Sequence, residues 1–147
     1  MNTEALFDIT TQAVEDTAII HVKNAAGEPL YADAARTKPV QIVIYGPGSK
    51  AFGAVEARQT ARTVKRMNDN EMKLSTPTHE ERVKETAEDL ASITKAFVNF
   101  AYPPAKDAQG EALFAAVYSD QKLGFIAKQI TKAVADWGNF KPGSATA

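Results

Sequence analysis

Pro39-Val40-Gln41-Ile42-Val43-Ile44-Tyr45-Gly46-Pro47-Gly48-Ser49-Lys50-Ala51-Phe52 is the stretch on which the fold turns. Val40 to Tyr45 is rich in β-branched residues and reads as a strand. Gly46-Pro47-Gly48-Ser49 breaks it. The glycines permit the φ > 0 conformations of a sharp turn, and Pro47 presets φ at a first turn position. Ser49 can accept a hydrogen bond from an orphan amide at the head of a helix, so a long helix is expected from Lys50. What precedes this break reads as sheet, and almost everything after it reads as helix.

Working back from the break, Thr17 to Lys23 is a strand built on Ile19, Ile20 and Val22. Asn24-Ala25-Ala26-Gly27 is a turn, with Gly27 suited to the left-handed position. Glu28 to Ala32 is the return strand, demoted by Pro29 to an edge or a strand beginning. With Val40 to Tyr45 these make a three-stranded antiparallel meander over residues 17–46. Residues 1–16 read as an N-terminal arm, with a short helical turn over Glu4 to Phe7 as the alternative; Phe7 and Ile9 alternate as in a strand, but four polar residues follow closely.

Working forward, the first helix runs from Lys50 to about Met67. At 100° per residue Phe52, Ala57, Ala61, Val64 and Met67 gather on one side, with Arg58, Arg62, Lys65 and Arg66 opposite. A second helix opens at Thr76 or Thr78, the latter with Glu81 as a capping box. Its stripe is Val83, Ala87, Leu90, Thr94, Phe97 and Val98, and Glu81, Glu85, Glu88 and Asp89 lie on the far side. Pro103-Pro104 stops it. A short helix covers Glu111 to Tyr118. Asp120 then caps a last helix, Gln121 to Trp137, with Leu123, Ile126, Ile130, Ala133, Val134 and Trp137 on one face. Residues 141–147 are small and polar and are expected as a disordered tail. The fold class is therefore α+β: a small N-terminal meander, then about four helices over residues 50–140, in one domain spanning 17–140.

A chain of 147 residues fits one domain and can bury roughly 70% of its unfolded surface. It has no cysteine, which removes disulfides, thiolate metal sites and thiol nucleophiles. The net charge of -1 lacks the basic excess of a dedicated nucleic-acid binder. The first residues have no signal-peptide pattern, and no apolar run nears the ~18 residues of a membrane span. Neither nucleic acid nor membrane is expected as a partner.

Gly46-Pro47-Gly48-Ser49-Lys50-Ala51 matches the G-x-G-x-x-A dinucleotide pattern in letters. That fingerprint needs a second parallel strand after the helix, and none is read here. The lysine and hydroxyl of a phosphate loop are also missing. His21 and His79 fall in different elements without ligand spacing, and Ser49 lacks the G-x-S-x-G frame. No catalytic residue, metal or cofactor is expected. The candidate protein-binding residues are Arg58, Arg62, Lys65, Arg66 and Phe125. The basic and acidic helix faces each lie opposite their own apolar stripe, so they are expected to meet solvent or other chains rather than each other. Phe125 projects with Lys128, Lys132 and Asp136, away from the last helix's apolar stripe.

Pro39 to Phe52, together with the preceding Ala26-Gly27-Glu28-Pro29-Leu30, resembles the strand-to-helix signature of tail assembly chaperones from long-tailed bacteriophages. The closing part is similar too: Leu113-Phe114-Ala115-Ala116-Val117-Tyr118, an amphipathic helix, then Ala135-Asp136-Trp137-Gly138-Asn139-Phe140. The resemblance spans roughly residues 17–140. It implies a non-enzymatic protein of the host cytoplasm that binds the tape-measure protein, keeps its hydrophobic helices soluble and helps recruit tail-tube protein. It also implies release before the particle is finished, and in many such phages a longer frameshifted product. Association with copies of itself is a further expectation. The alternatives are a virion structural protein (head–tail connector, tail tube or minor capsid component) and a small nucleotide-binding protein or enzyme.

Overall fold

The computed structural model describes residues 5–71 and 76–144. Three strands, β1 (Thr17–His21), β2 (Gln41–Tyr45) and β3 (Thr94–Val98), form one antiparallel sheet in the order β1-β2-β3. Four helices complete the α+β fold: α1 (Lys50–Asp69), α2 (His79–Ser92), α3 (Gly110–Ser119) and α4 (Gly124–Ala135). β2 is central, one of the two placements (the other a face covered by helices) that its apolar run allows. Ile42 and Ile44 are fully buried while Gln41, Val43 and Tyr45 are half-buried, the period-2 alternation of a sheet with one face on the core.

The third strand is not the expected one. Glu28 to Ala32 forms no strand, only the isolated bridges Lys23–Pro29 and Tyr31–Pro39. Pro29 has no N–H to donate, and Val22, Leu30 and Val40 instead close a small ring of backbone hydrogen bonds of 2.9, 2.9 and 3.0 Å. Gly27 takes the expected left-handed turn conformation at φ 86°.

The sheet is completed from beyond the helices. α2 was expected to continue to about Phe100, but it ends at Ser92 and the chain pairs with β2, Ile42 opposite Phe97 and Val43 opposite Ala96. Thr94, Phe97 and Val98 are β-branched or aromatic, which suits a pleated half-buried surface better than a helix. β3 runs antiparallel to β2, so no βαβ unit exists here.

Packing against the sheet is aromatic. Phe97 lies 4.5 Å from the rings of both Phe100 and Phe114, within the range of favourable ring pairs. Burial pushes the Tyr118 phenol up from its ordinary value. Its hydroxyl shares a 2.7 Å hydrogen bond with Thr94 Oγ1, which also donates to the Leu90 carbonyl. Thr94→Val keeps the shape but strands the Tyr118 hydroxyl, so a loss of about 1–3 kcal/mol is expected in urea unfolding. An unchanged midpoint would show that this pair contributes nothing.

The helix starts follow their capping residues. Ser49 Oγ accepts from Phe52 N–H at 3.2 Å, and Thr78 Oγ1 accepts from Glu81 N–H at 3.1 Å. The last helix is shorter than expected: Gln121–Leu123 is a 3₁₀ turn capped by Asp120, and Trp137–Phe140 is another. Trp137, placed on the core face by periodicity, is 56% exposed, because the chain has left the α-helix one residue before it. Phe140 takes the buried position instead, with no exposed surface. In the arm, Ile9–Gln12 is a 3₁₀ turn. Residues 141–144 do not trail away: Gly143 N–H reaches Glu15 Oε1 at 2.8 Å and Ser144 Oγ donates to the Thr17 carbonyl at 3.4 Å. Residues 145–147 of the expected tail lie outside the described residues.

Candidate protein-binding site on the α1–α2 layer

α1 is nearly detached from the core. Val55 is the single buried residue among its 20, with Ala51 and Phe52 half-buried beside it at the base. Beyond that point polar side chains tie α1 to α2. Phe52, Val55, Gln59, Arg62 and Arg66 recur at three- and four-residue spacing, so they share one side of the helix.

Asp89 is the centre of this contact, although only 8% of it is exposed. Arg58 Nε and Nη2 donate to its Oδ1 at 3.1 and 2.9 Å, and Arg62 Nη1 to both oxygens at 2.8 and 2.9 Å. Gln59 Nε2 adds a bond to Oδ2 at 3.1 Å. Arg62 Nη2 also reaches Glu88 at 3.1 Å, and Arg66 pairs with Glu85. Charged donors around one carboxylate make the stronger kind of hydrogen bond.

The basic and acidic faces therefore meet each other, against expectation. Of the stripe favoured by hydropathy, Ala57, Ala61 and Val64 lie outside, with Val64 51% exposed, while Phe52 and Met67 are half-buried. The physical reason is size. Alanines bring little apolar area to a core, whereas Phe52 and Val55 bury real area and arginine stems cover apolar surface while their heads reach carboxylates. A signal for this was present in the sequence: Arg58, Arg62 and Arg66 repeat every four residues, as Glu85 and Asp89 do.

Of the predicted binding residues, Arg58, Arg62 and Arg66 are thus engaged within the chain. Lys65 is exposed and makes no ion pair among the described residues. Phe125 is half-buried and packs at the margin of the core. It lines a groove of roughly 520 Å³ between the starts of α2 and α4, beside Val83 and Ala127. Sequence reasoning missed this groove, because it exists only where two distant helix ends adjoin.

The Gly46–Ser49 turn is closed on itself. Gly46 N–H donates to the Asp16 carbonyl at 2.7 Å, and Ser49 N–H and Oγ both donate to the Gly46 carbonyl, at 3.0 and 2.7 Å. Neither Gly46 nor Gly48 has a positive φ, contrary to expectation. Gly46 is required by space: a Cβ there would lie 2.7 Å from Cγ and Cε1 of Phe140. The Gly46 and Ser49 amides are thus committed within the chain and are not turned toward a phosphate. His21 Nε2 lies 2.7 Å from the Leu30 carbonyl and its ring meets Tyr31 edge-on, a structural placement. No helix among the described residues is long and apolar enough to cross a membrane.

Comparison with protein-family models, with curated proteins and with solved structures returns no match.

Proposed function

We propose that this chain is a tail assembly chaperone of a long-tailed bacteriophage. It acts without catalysis, binding the helical tape-measure protein and helping to bring tail-tube protein to it in the host cytoplasm. The resemblance of residues 39–52 and 113–140 supports the phage assignment. The observation that carries the binding role is the outer face of α1.

That face presents Ala54, Ala57, Ala61 and Val64, all exposed and spaced three and four apart. Such a seam lets a second helix approach closely, and it matches the helix-against-helix mode of recognising an amphipathic client. The inner face holds the helix in place through Asp89, so the outer face is presented on a fixed support. Lys65 at its margin favours a client with acidic residues flanking its apolar stripe.

Ala61→Glu with Val64→Glu tests this directly. Both positions are exposed, so the variant should keep its circular dichroism spectrum. In co-expression with the tape-measure protein, capture is expected to fall by about tenfold or more, as loss of a central contact does. Undiminished capture would move the client surface off α1, and absence of capture by the unaltered chain would end the chaperone reading. Charge reversal at Arg58 or Arg62 is the wrong probe, because it breaks contacts within the chain.

A further inference from the structure

We infer that the N-terminal arm of one copy docks into the α2–α4 groove of a second copy. Leu6, Phe7 and Ile9 would lie on the apolar floor of the groove, and Asp8 against its basic rim. This inference is independent of the chaperone reading.

Among the described residues, nothing covers the apolar part of the arm. Leu6, Phe7 and Ile9 are 90, 71 and 73% exposed, three large side chains within four residues. Isolated exposed apolar residues are ordinary, but such a cluster marks an interaction site. The arm is nevertheless shaped. Asp8 accepts from Thr10 N–H and Oγ1 at 3.0 and 2.6 Å, capping the 3₁₀ turn Ile9–Gln12 that follows Leu6 and Phe7. Hydrogen bonding to Thr10 holds the Asp8 carboxyl below its usual range, so it is charged at neutral pH. Among the described residues, the backbone hydrogen bonds of Thr11 and Ala13 stay within the arm, and the first one made to the body is Glu15 N–H to the Phe140 carbonyl.

The groove has the complementary character. Val83, Phe125 and Ala127 give it an apolar floor, and Arg82, Lys122 and Lys128 stand at its edge against the single carboxylate of Asp120. Asp120 is occupied, accepting from Tyr102 Oη at 2.8 Å and from Lys122 N–H at 3.0 Å. Arg82, Lys122 and Lys128 make no ion pair among the described residues. Residues 5–14 of the arm carry one carboxylate, Asp8, and no lysine or arginine. Opposite charge around matched apolar surfaces sets both partner and register.

A second copy is the occupant the geometry favours. The arm leaves the body beside Phe140, past the end of α4, while the groove lies at the start of α4. Those points are separated by the helix length, 12 residues or about 18 Å. In the single chain Leu6, Phe7 and Ile9 are exposed to solvent rather than seated in the groove. Reciprocal exchange buries both arms and closes with two-fold symmetry.

Sedimentation velocity over a concentration series is the first measurement, on the full chain. A monomer–dimer transition is expected, with its midpoint raised at least tenfold by Phe7→Ser and by Arg82→Glu. Both sites are exposed, so unchanged circular dichroism should accompany the shift. Because the chain has no cysteine, a cross-link gives the second readout. Phe7→Cys mixed with Lys128→Cys should yield a disulfide-linked heterodimer. A monomer at every concentration, or a midpoint indifferent to both variants, would overturn the inference. So would a Phe7→Cys/Lys128→Cys double variant that closes within one chain.

Discussion

Phe140→Ala is expected to cost about 3–5 kcal/mol of unfolding free energy, the range for removing a buried phenylalanine from a core. Phe140 has no exposed surface and is the largest fully buried side chain. It lies seven residues from the end of the sequence, where truncation would ordinarily be thought harmless. Its ring occupies the space left by Gly46, and its carbonyl receives the Glu15 N–H at 2.7 Å. One residue thus joins the C-terminal turn, the end of β2 and the N-terminal segment. Gly46→Ala attacks the same contact from the other side. Its methyl would sit 2.7 Å from Cγ of Phe140, and overpacking of this kind costs about 1–3 kcal/mol or more. The two variants should not be additive: with Phe140 already alanine, the Gly46 methyl has room, and its cost should largely vanish. Guanidinium unfolding of the four proteins in the cycle decides the matter. Equal costs of Gly46→Ala in both backgrounds would show that the ring is not what excludes a side chain.

Asp89→Ala should be the second most damaging substitution. Breaking a buried ion pair by removing one partner costs about 3–5 kcal/mol. Here the Arg58 side chain is 41% exposed, so water screens part of the loss and about 2–3 kcal/mol is expected. Asp89→Asn keeps the shape and some hydrogen bonds, and should cost less. The damage should be local. Amides of α1 should lose hydrogen-exchange protection while those of β2 keep theirs, since only Ala51, Phe52 and Val55 at its base otherwise pack α1 on the core. A loss below half a kcal/mol (roughly the scatter of surface substitutions) would mean that the arginines find other partners in α2.

The placement of α1 shows where reading by pattern stops. Hydropathy weighs apolar residues by number, so Ala57, Ala61 and Val64 drew the expected stripe away from Val55, and of that stripe only Phe52 and Met67 are half-buried. Burial depends on area and on what stands opposite. Opposite α1 stand Glu85, Glu88 and Asp89, which the four-residue arginine spacing meets in register. The end of α2 is a similar case. Its apolar stripe continues through Phe97 and Val98 at helical spacing, but β2 had an unpaired edge once Pro29 removed the return strand from the sheet. That edge was satisfied by Thr94–Val98, with Val43 opposite Ala96, far along the chain.

Local signals that act within a few residues were legible without coordinates. Ser49, Thr78 and Asp120 cap their turns, β2 is central, Gly27 turns the chain, and the class is α+β, because each rests on the backbone chemistry of neighbours. Tertiary structure alone decided which strand is third, which side of α1 faces inward, and why Gly46 has no side chain. These are choices between surfaces far apart in sequence, and they are settled by which pairing leaves fewer buried polar groups unpaired and less large apolar area in water.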